Sequence, residues 1–260
     1  MKPLLEATGI VKEFRGRGRS LDVVALDGVD ISIMPGEIVG IVGESGSGKS
    51  TLSRILVGIE HATKGVVKHN DEVVASPADW RTLRLDIQYI FQDPYLSLAP
   101  HMTVGQSIGD GLEIRGEGTS AERSKRIGET LEMVGLKASD AQSYPAVFSG
   151  GQRQRISLAR ALILNPKLII CDEIVSGLDV SVQAQILNLL VELHRNQGVG
   201  IVFVSHDLRV VKYLCDRILV MHRGLVVETN TTENLFAHPQ HEYTQHLLSC
   251  VPAGLSSTGI

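Results

Sequence analysis

The sequence predicts an α/β fold in which a largely parallel sheet is covered by helices and interrupted by an inserted helical subdomain. Short β-branched runs alternate with segments of helical periodicity, which is the pattern of parallel sheets. The clearest predicted strands are Glu37–Val42, Leu168–Cys171, Gly200–Ser205 and Arg217–Met221. Each ends in a polar or glycine-rich turn, and ligands of open parallel sheets bind at such carboxyl ends.

The order of strand-like and helix-like segments along the chain predicts three regions. They are an α/β core with an N-terminal β region (1–92 and 165–232), a helical subdomain (93–164) and a C-terminal tail (233–260). In the middle region Thr119 and Glu122 have the spacing of a capping box. Ile127, Leu131 and Val134 then follow at helical spacing, so we expect a helix there.

Composition excludes several classes of protein. The chain has 260 residues, 43% hydrophobic, with a net charge of −4, so it can bury a core and is not disordered. Three widely spaced cysteines argue against a disulfide framework or a close-spaced metal knuckle. The slight acidity argues against a general nucleic-acid binder. The basic cluster is expected to be a solvated loop and consists of Arg15, Arg17 and Arg19.

Apolar runs are only strand-sized, so the sequence predicts no membrane-spanning helix. The first ten residues, MKPLLEATGI, are a poor signal peptide, because no long apolar stretch precedes the charged residues. We therefore expect a cytoplasmic protein.

A glycine-rich segment follows the predicted strand that ends at Val42. It has the phosphate-loop pattern and consists of Gly43, Glu44, Ser45, Gly46, Ser47, Gly48, Lys49, Ser50 and Thr51. Glycines let backbone N–H groups point at phosphate oxygens at the start of a helix. We expect Lys49 to reach the β- and γ-phosphates of a nucleoside triphosphate and the Ser50 hydroxyl to ligate Mg²⁺.

Two acidic residues end the apolar run Leu168–Cys171. The Asp172 carboxylate can hold Mg²⁺, directly or through a water molecule. Glu173, one residue further, is placed to act as a general base on an attacking water. With the phosphate loop, these residues predict a site that hydrolyses a nucleoside triphosphate.

A second anion site is predicted at a helix that opens with Ser149, Gly150, Gly151 and Gln152. Ser149 is expected at the N-cap, with the N–H groups of the first turn unpaired and facing outward. One phosphate loop has no need of a second phosphate site in the same chain. We therefore expect two copies arranged head to tail, each closing these four residues over the partner's γ-phosphate.

With these motifs the chain resembles the ATP-binding subunits of ABC transporters, and more narrowly those of oligopeptide, dipeptide and nickel importers. The resemblance spans essentially the whole chain. Its further general motifs are the glutamine loop at 91–95, the D-loop at 176–179 and the switch histidine within 205–207. The features of the subfamily lie at 92–104, 179–185 and 236–244.

The resemblance implies roles for residues that the motifs alone do not explain. Gln92 would contact Mg²⁺ and the attacking water, and Asp179 would reach across the dimer. His206 would hydrogen-bond the γ-phosphate and orient Glu173. Phe14 is the candidate for stacking on adenine, and the alternative is a core phenylalanine at a strand end.

Four positions depart from the family's usual residues: Ala99, Ile174, Gly177 and Glu242. None of them removes a phosphate, metal or water contact. Ile174 and Gly177 lie beside Glu173 and Asp179, so they bear on the stiffness of that turn and on the rate of turnover.

The resemblance implies a peripheral ATPase at the cytoplasmic face of the inner membrane, which uses ATP and Mg²⁺ to power the import of di- or oligopeptides, or of nickel. Its expected partners are a second ATP-binding subunit, identical or paralogous, the permease subunits and, indirectly, an external solute-binding protein. The surface after Gln92, near 95–104, is expected to receive a cytoplasmic helix of the permease. The alternatives are a non-transport ABC ATPase, DNA-associated or otherwise, and a nucleotide-binding regulator that does not hydrolyse.

Overall fold

The computed structural model describes residues 2–15, 22–93 and 97–250. Within them the chain forms two compact units, which are described separately. Unit one holds the residues up to Val74 together with those from Val202 onward, and unit two holds Ala75–Ile201. The boundaries predicted for the helical subdomain stay a prediction.

The strands in chain order are β1 (Leu5–Phe14), β2 (Val23–Ile33), β3 (Ile38–Val42), β4 (Lys64–His69), β5 (Glu72–Val73), β6 (Ile87–Ile90), β7 (Leu168–Asp172), β8 (Gly200–Ser205), β9 (Arg217–His222) and β10 (Leu225–Thr231). The α-helices are α1 (Lys49–Leu56), α2 (Pro77–Asp86), α3 (Val104–Ile114), α4 (Ser120–Met133), α5 (Gly150–Leu162), α6 (Val180–Gln197), α7 (Leu208–Leu214), α8 (Thr232–Ala237) and α9 (Glu242–Ser249).

Unit one contains two kinds of sheet. An antiparallel sheet has the strand order β2-β1-β4-β5, and a second set of strands runs in the order β10-β9-β3-β8. In the second set β3 pairs in parallel with β9, whereas β10 pairs with β9 in antiparallel fashion. All five residues of β3 and all six of β8 are buried, as is typical of central parallel strands. β3 ends at the predicted phosphate loop, and β8 ends directly before His206.

Unit two combines a parallel strand pair with a group of helices. β6 pairs with β7, and the register places Tyr89 opposite Ile170. α5 buries Ile156 and Ala159, and Ile163 at its C-cap is buried as well, so one face of the helix packs into the interior of unit two. The capping box of Thr119 and Glu122 at the start of α4 is also confirmed.

The α/β fold class is confirmed, and the four predicted strands are present with small shifts at their ends. β3 begins at Ile38 and not at Glu37, because Glu37 closes the preceding turn. Its carboxylate accepts the Met34 N–H at 2.9 Å and Arg217 Nε at 2.7 Å. Unit one also contains an antiparallel sheet of β1, β2, β4 and β5, whose individual strands the sequence did not predict.

Parts of some expectations lie outside the described residues. They include Arg17 and Arg19 of the basic cluster, residues 95–96 of the permease-facing surface and residues 251–260 of the predicted C-terminal tail. Arg15 is described and is exposed. The described part of the C-terminal region contains two short helices, α8 and α9. Among the helices of the described ranges, none is both long and apolar enough to cross a membrane.

Candidate nucleotide-hydrolysis site

The phosphate loop of unit one joins the buried end of β3 to the start of α1. A Cβ atom on Gly43 would lie 2.1 Å from the Met221 carbonyl oxygen, so only glycine fits there. Gly48 has a φ of 103°, a conformation that L-residues with side chains rarely adopt. The glycines of the motif are therefore required by close packing and by backbone conformation.

Lys49 is folded over the loop and is only 4% exposed. Its Nζ donates to the carbonyl oxygens of Gly43, at 2.9 Å, and of Glu44, at 2.8 Å. The Ser47 hydroxyl within the loop is buried without a hydrogen-bond partner among the described residues. A cation and an unpartnered polar atom inside one glycine-rich loop fit an anionic ligand such as a phosphate chain.

The start of α1 differs from that of the other helices. Among the nine α-helices of the described residues, α1 is the only one whose N-terminus has no capping side chain. The first N–H groups of a helix lack intrahelical acceptors and carry the positive end of its dipole. The start of α1 is therefore suited to bind an anion in place of a side-chain cap.

His206 follows directly after β8 and is exposed. The next residue, Asp207, caps α7 and pairs with Arg209 at 2.7 Å. The Arg209 guanidinium holds the pKa of Asp207 below its usual value. Asp207 thus fixes the turn after β8 at which the imidazole of His206 is presented.

Phe14 ends β1 with 42% of its surface exposed, which is not the environment of a core phenylalanine. The Lys12 ammonium lies 4.8 Å from the centroid of the ring. Lys12 is itself held by the Glu60 carboxylate at 2.6 Å. The alternative of a core side chain is therefore wrong, and the stacking of Phe14 on adenine stays a prediction.

In unit two, Asp172 ends β7 and is 1% exposed. The Tyr89 hydroxyl, on the adjacent strand β6, donates to its Oδ2 at 2.6 Å. The tyrosine orients the carboxylate that the sequence assigned to Mg²⁺. Sequence reasoning missed Tyr89, although Ile87 and Ile90 mark its segment as a short strand.

Glu173 has a positive φ of 50°, which is uncommon for a residue other than glycine. Its backbone carbonyl accepts the Ser176 N–H at 3.0 Å and the Ser176 hydroxyl at 2.7 Å. Its carboxylate accepts Gln92 Nε2 at 3.1 Å. Ile174, which departs from the family's pattern, is 1% exposed and anchors this turn in the interior of unit two. The structure thus brings together the predicted base and the glutamine of the glutamine loop.

Ser149 is the N-cap of α5, as the sequence predicted. One expectation needs correction, because the first-turn N–H of Gln152 is not unpaired. It donates to the Ser149 hydroxyl at 3.3 Å, and the Gln152 side chain accepts the Ser149 N–H at 2.9 Å. A Cβ atom on Gly151 would lie 2.3 Å from Val182 Cγ1, so glycine permits the close packing of α5 on α6.

Asp179 is exposed and caps α6. Its Oδ1 accepts the Ser181 hydroxyl at 2.6 Å and the Val182 N–H at 3.0 Å. These two hydrogen bonds hold the pKa of Asp179 below its usual value. The carboxylate therefore presents its charge at the start of α6, where the resemblance expects a contact across a dimer.

Comparison with known proteins identifies the family. The profile described as "ABC transporter" matches residues 26–176, which is more than half of the chain. The chain belongs to the ABC transporter family. The match includes the phosphate loop, Gln92, the start of α5, Asp172 and Glu173, and it ends before Asp179 and His206.

Two relatives of this ABC transporter chain are provisionally named peptide import ATP-binding proteins. The one from Brucella ovis is 47% identical over 253 residues, which are 96% of this chain and 79% of the relative. The one from Brucella abortus is 44% identical over 256 residues, which are 96% of this chain and 77% of the relative. Neither nickel import nor a non-transport ATPase finds support in these names.

Solved ABC proteins share the fold. cbiO1 from Clostridium perfringens, described as part of the transporter complex cbiONQ, is 28% identical with a TM-score of 0.79, covering 92% of both chains. The ATP-binding cassette MJ0796, in a dimeric post-hydrolysis state with ADP and phosphate, is 31% identical with a TM-score of 0.79. That alignment covers 88% of this chain and 98% of MJ0796. The expected ABC ATPase fold is thus confirmed.

Proposed function

We propose that this chain is the ATP-hydrolysing subunit of an importer of di- or oligopeptides. Its 47% identity with a relative provisionally named for peptide import supports the substrate class. The observation that carries the coupling to transport is the hydrogen bond between Gln92 and Glu173. It connects the proposed base to Gln92, which shortly precedes the segment that we expect to face the permease.

The proposed nucleotide site uses the phosphate loop and the acidic end of β7. Lys49 and the loop N–H groups bind the phosphate chain of ATP, while Phe14 stacks on adenine. The remaining proposed contacts of the loop are made by Gly43, Glu44, Ser45, Gly46, Ser47, Gly48, Ser50 and Thr51. Mg²⁺ would be held by Ser50, Gln92 and Asp172, whose hard oxygen ligands suit that ion, and it would supply positive charge to the phosphate oxygens.

Hydrolysis in this proposal depends on the carboxylate of Glu173. It accepts a proton from the water that attacks the γ-phosphorus, while the bond from that phosphorus to the β–γ bridging oxygen breaks to give ADP and phosphate. The Gln92 carboxamide donates to one atom of that carboxylate, Oε2. His206 would donate a hydrogen bond to the γ-phosphate.

We also propose that two ATP-binding subunits, identical or paralogous, assemble around ATP. Each would present Ser149, Gly150, Gly151 and Gln152 to the γ-phosphate held by its partner, with Asp179 at the same interface. The N-terminus of α5 supports this role, because Gly150 at its first position has room beside it and lets an anion approach the backbone closely. MJ0796 is described as dimeric, which is consistent with this assembly.

A cavity in unit two supports an interaction with permease subunits. It has a volume of about 220 Å³ and is lined by residues that adjoin Gln92, by Ser97 and by the end of α3. Ile114 at its edge is 80% exposed, which is unusual for a large apolar side chain. Arg160 fixes the cavity wall by donating to the Ser97 carbonyl oxygen at 2.7 Å. An apolar side chain of a permease helix would fit beside Ile114, and the chain would then lie at the cytoplasmic face of the membrane.

Ile114→Asp is therefore expected to lower peptide transport about tenfold, because it places a charge in an apolar contact. ATP hydrolysis by the isolated subunit should stay near that of the parent, because Ile114 does not line the phosphate loop. ATP hydrolysis is measured with the purified subunit, and peptide transport is measured with the whole transporter in proteoliposomes. The matched control is Val73→Asp, at an exposed valine of β5 in unit one. Equal transport by the two variants would contradict this docking surface.

The peptide substrate is tested by uptake in cells. Deletion of the gene is expected to abolish uptake of a labelled tripeptide, and the parent gene should restore it whereas Glu173→Gln should not. Uptake of ⁶³Ni²⁺ measured in the same strains is expected to be unchanged by the deletion. Normal peptide uptake by the deletion strain would refute peptide import.

A further inference from the structure

The C-terminal residues of unit one contact the phosphate loop from a part of the chain that the family profile does not reach. The profile ends at residue 176, and the contact is made by Tyr243 on α9. The Glu44 N–H in the loop donates to the Tyr243 hydroxyl at 3.1 Å. This hydrogen bond joins residues 199 positions apart in the sequence.

The Tyr243 ring is fixed in place by its neighbours. It stacks on His222, at the end of β9, with ring centroids 3.9 Å apart and an angle of 32° between the planes. The Tyr243 N–H donates to His241 Nδ1 at 3.1 Å. Burial raises the pKa of Tyr243, so its hydroxyl stays neutral at physiological pH.

The chain before Tyr243 is anchored to β10 by a carboxylate. Glu228 accepts the N–H groups of Gln240 and His241, each at 3.0 Å. Burial acts to raise the pKa of Glu228, but these two N–H groups, together with the Thr244 side chain and the charge of His241, hold that pKa below its usual value. Glu228 is therefore ionised near neutral pH and holds residues 240–243 against the sheet.

The same side of the loop is contacted by the β9–β10 turn. The Gly224 N–H donates to the Ser47 carbonyl oxygen at 3.0 Å. Met221, next to His222, packs its carbonyl oxygen against Gly43. The loop is thus held at Gly43, Glu44 and Ser47 by residues that all follow position 216.

We propose that Tyr243 is a positioning residue for ATP binding, which holds the phosphate loop in its binding conformation through the N–H of Glu44. It does not itself contact the nucleotide. Because Lys49 donates to the carbonyl oxygens of Gly43 and Glu44, displacement of Glu44 also displaces the acceptors that orient the lysine. The inference rests on the proposed binding of ATP by this loop.

The test is Tyr243→Phe, which removes the hydroxyl but keeps the ring that stacks on His222. Loss of one hydrogen bond to the loop is expected to raise the Kd for ATP about three- to tenfold. KM should rise in parallel, kcat should change less than about twofold, and the melting temperature without nucleotide should stay that of the parent. The matched control is Tyr144→Phe, at an exposed tyrosine of unit two, with the Kd of the parent expected.

Calorimetric titration of the full chain with ATP gives these Kd values. Glu228→Ala, which removes the anchor of residues 240–243, is expected to raise the Kd in the same direction. A Tyr243→Phe variant with the Kd of the parent would overturn the inference, as would a lower kcat at unchanged Kd. Lys49→Ala separates the two proposals. If Lys49→Ala still binds ATP like the parent, the assignment of the phosphate loop fails. If Lys49→Ala loses binding while Tyr243→Phe keeps it, only the proposed role of Tyr243 fails.

Discussion

Lys49→Ala is expected to abolish ATP hydrolysis and to weaken ATP binding at least about tenfold. Lys49 is the only cation within the phosphate loop, and a charge-assisted hydrogen bond is worth about 1.5–3 kcal/mol. Its ammonium already lies against the loop carbonyls of Gly43 and Glu44, so no rearrangement of the backbone is needed to present it. Hydrolysis is measured by phosphate release, and binding by calorimetric titration.

The control for this variant is Lys125→Ala on α4, where the lysine side chain is 78% exposed. It should hydrolyse ATP like the parent. Hydrolysis by Lys49→Ala at a rate near that of the parent would show that the phosphate loop has been assigned wrongly.

Glu173→Gln is expected to lower the hydrolysis rate at least about a hundredfold and to trap a dimer that contains ATP. Glutamine keeps the size of the side chain and an oxygen that can accept the hydrogen bond from Gln92, so binding should survive. It cannot take the proton of the attacking water. Because only ATP offers a γ-phosphate to the start of α5 in the partner, the assembly should persist until hydrolysis.

Size-exclusion chromatography measures this outcome. Glu173→Gln should elute as a dimer with ATP and as a monomer with ADP, in the presence of the paralogous ATPase where the genome encodes one. The control is Glu192→Gln, an exposed glutamate on α6, which should turn over like the parent. Rapid hydrolysis by Glu173→Gln, or a monomer with ATP and every candidate partner, would contradict the mechanism.

Most of the features that could be predicted from the sequence depend on local patterns of residues. The strand before the phosphate loop, the caps at Thr119 and Ser149, and the acidic end of β7 each depend on neighbouring residues, which a sequence displays directly. The roles assigned to Gln92 and His206 came from the resemblance to ABC proteins. Of these two, the structure places Gln92 against Glu173.

Contacts between distant residues were not predictable in the same way. The Tyr89 hydroxyl donates to Asp172, 83 positions away in the sequence, because β6 and β7 pair in one particular register. The Tyr243 hydroxyl accepts a hydrogen bond from the Glu44 N–H, 199 positions away in the sequence. A tyrosine in a short strand or in a C-terminal helix has no periodicity that indicates its partner. The pairing of Gln152 with Ser149, by contrast, follows the capping-box spacing and was available from the sequence.

The uncapped start of α1 has a consequence for the lifetime of the protein. Every other described α-helix has a capping side chain at its N-terminus, whereas at the start of α1 a bound phosphate chain would take the place of such a cap. A ligand that binds only the folded chain raises the free energy of unfolding, by about 2.7 kcal/mol at a concentration one hundred times its Kd. The chain should therefore be least stable between the release of ADP and the arrival of the next ATP. A steady supply of ATP should therefore protect the subunit from unfolding, and from the proteases that attack unfolded chains, as well as power its turnover.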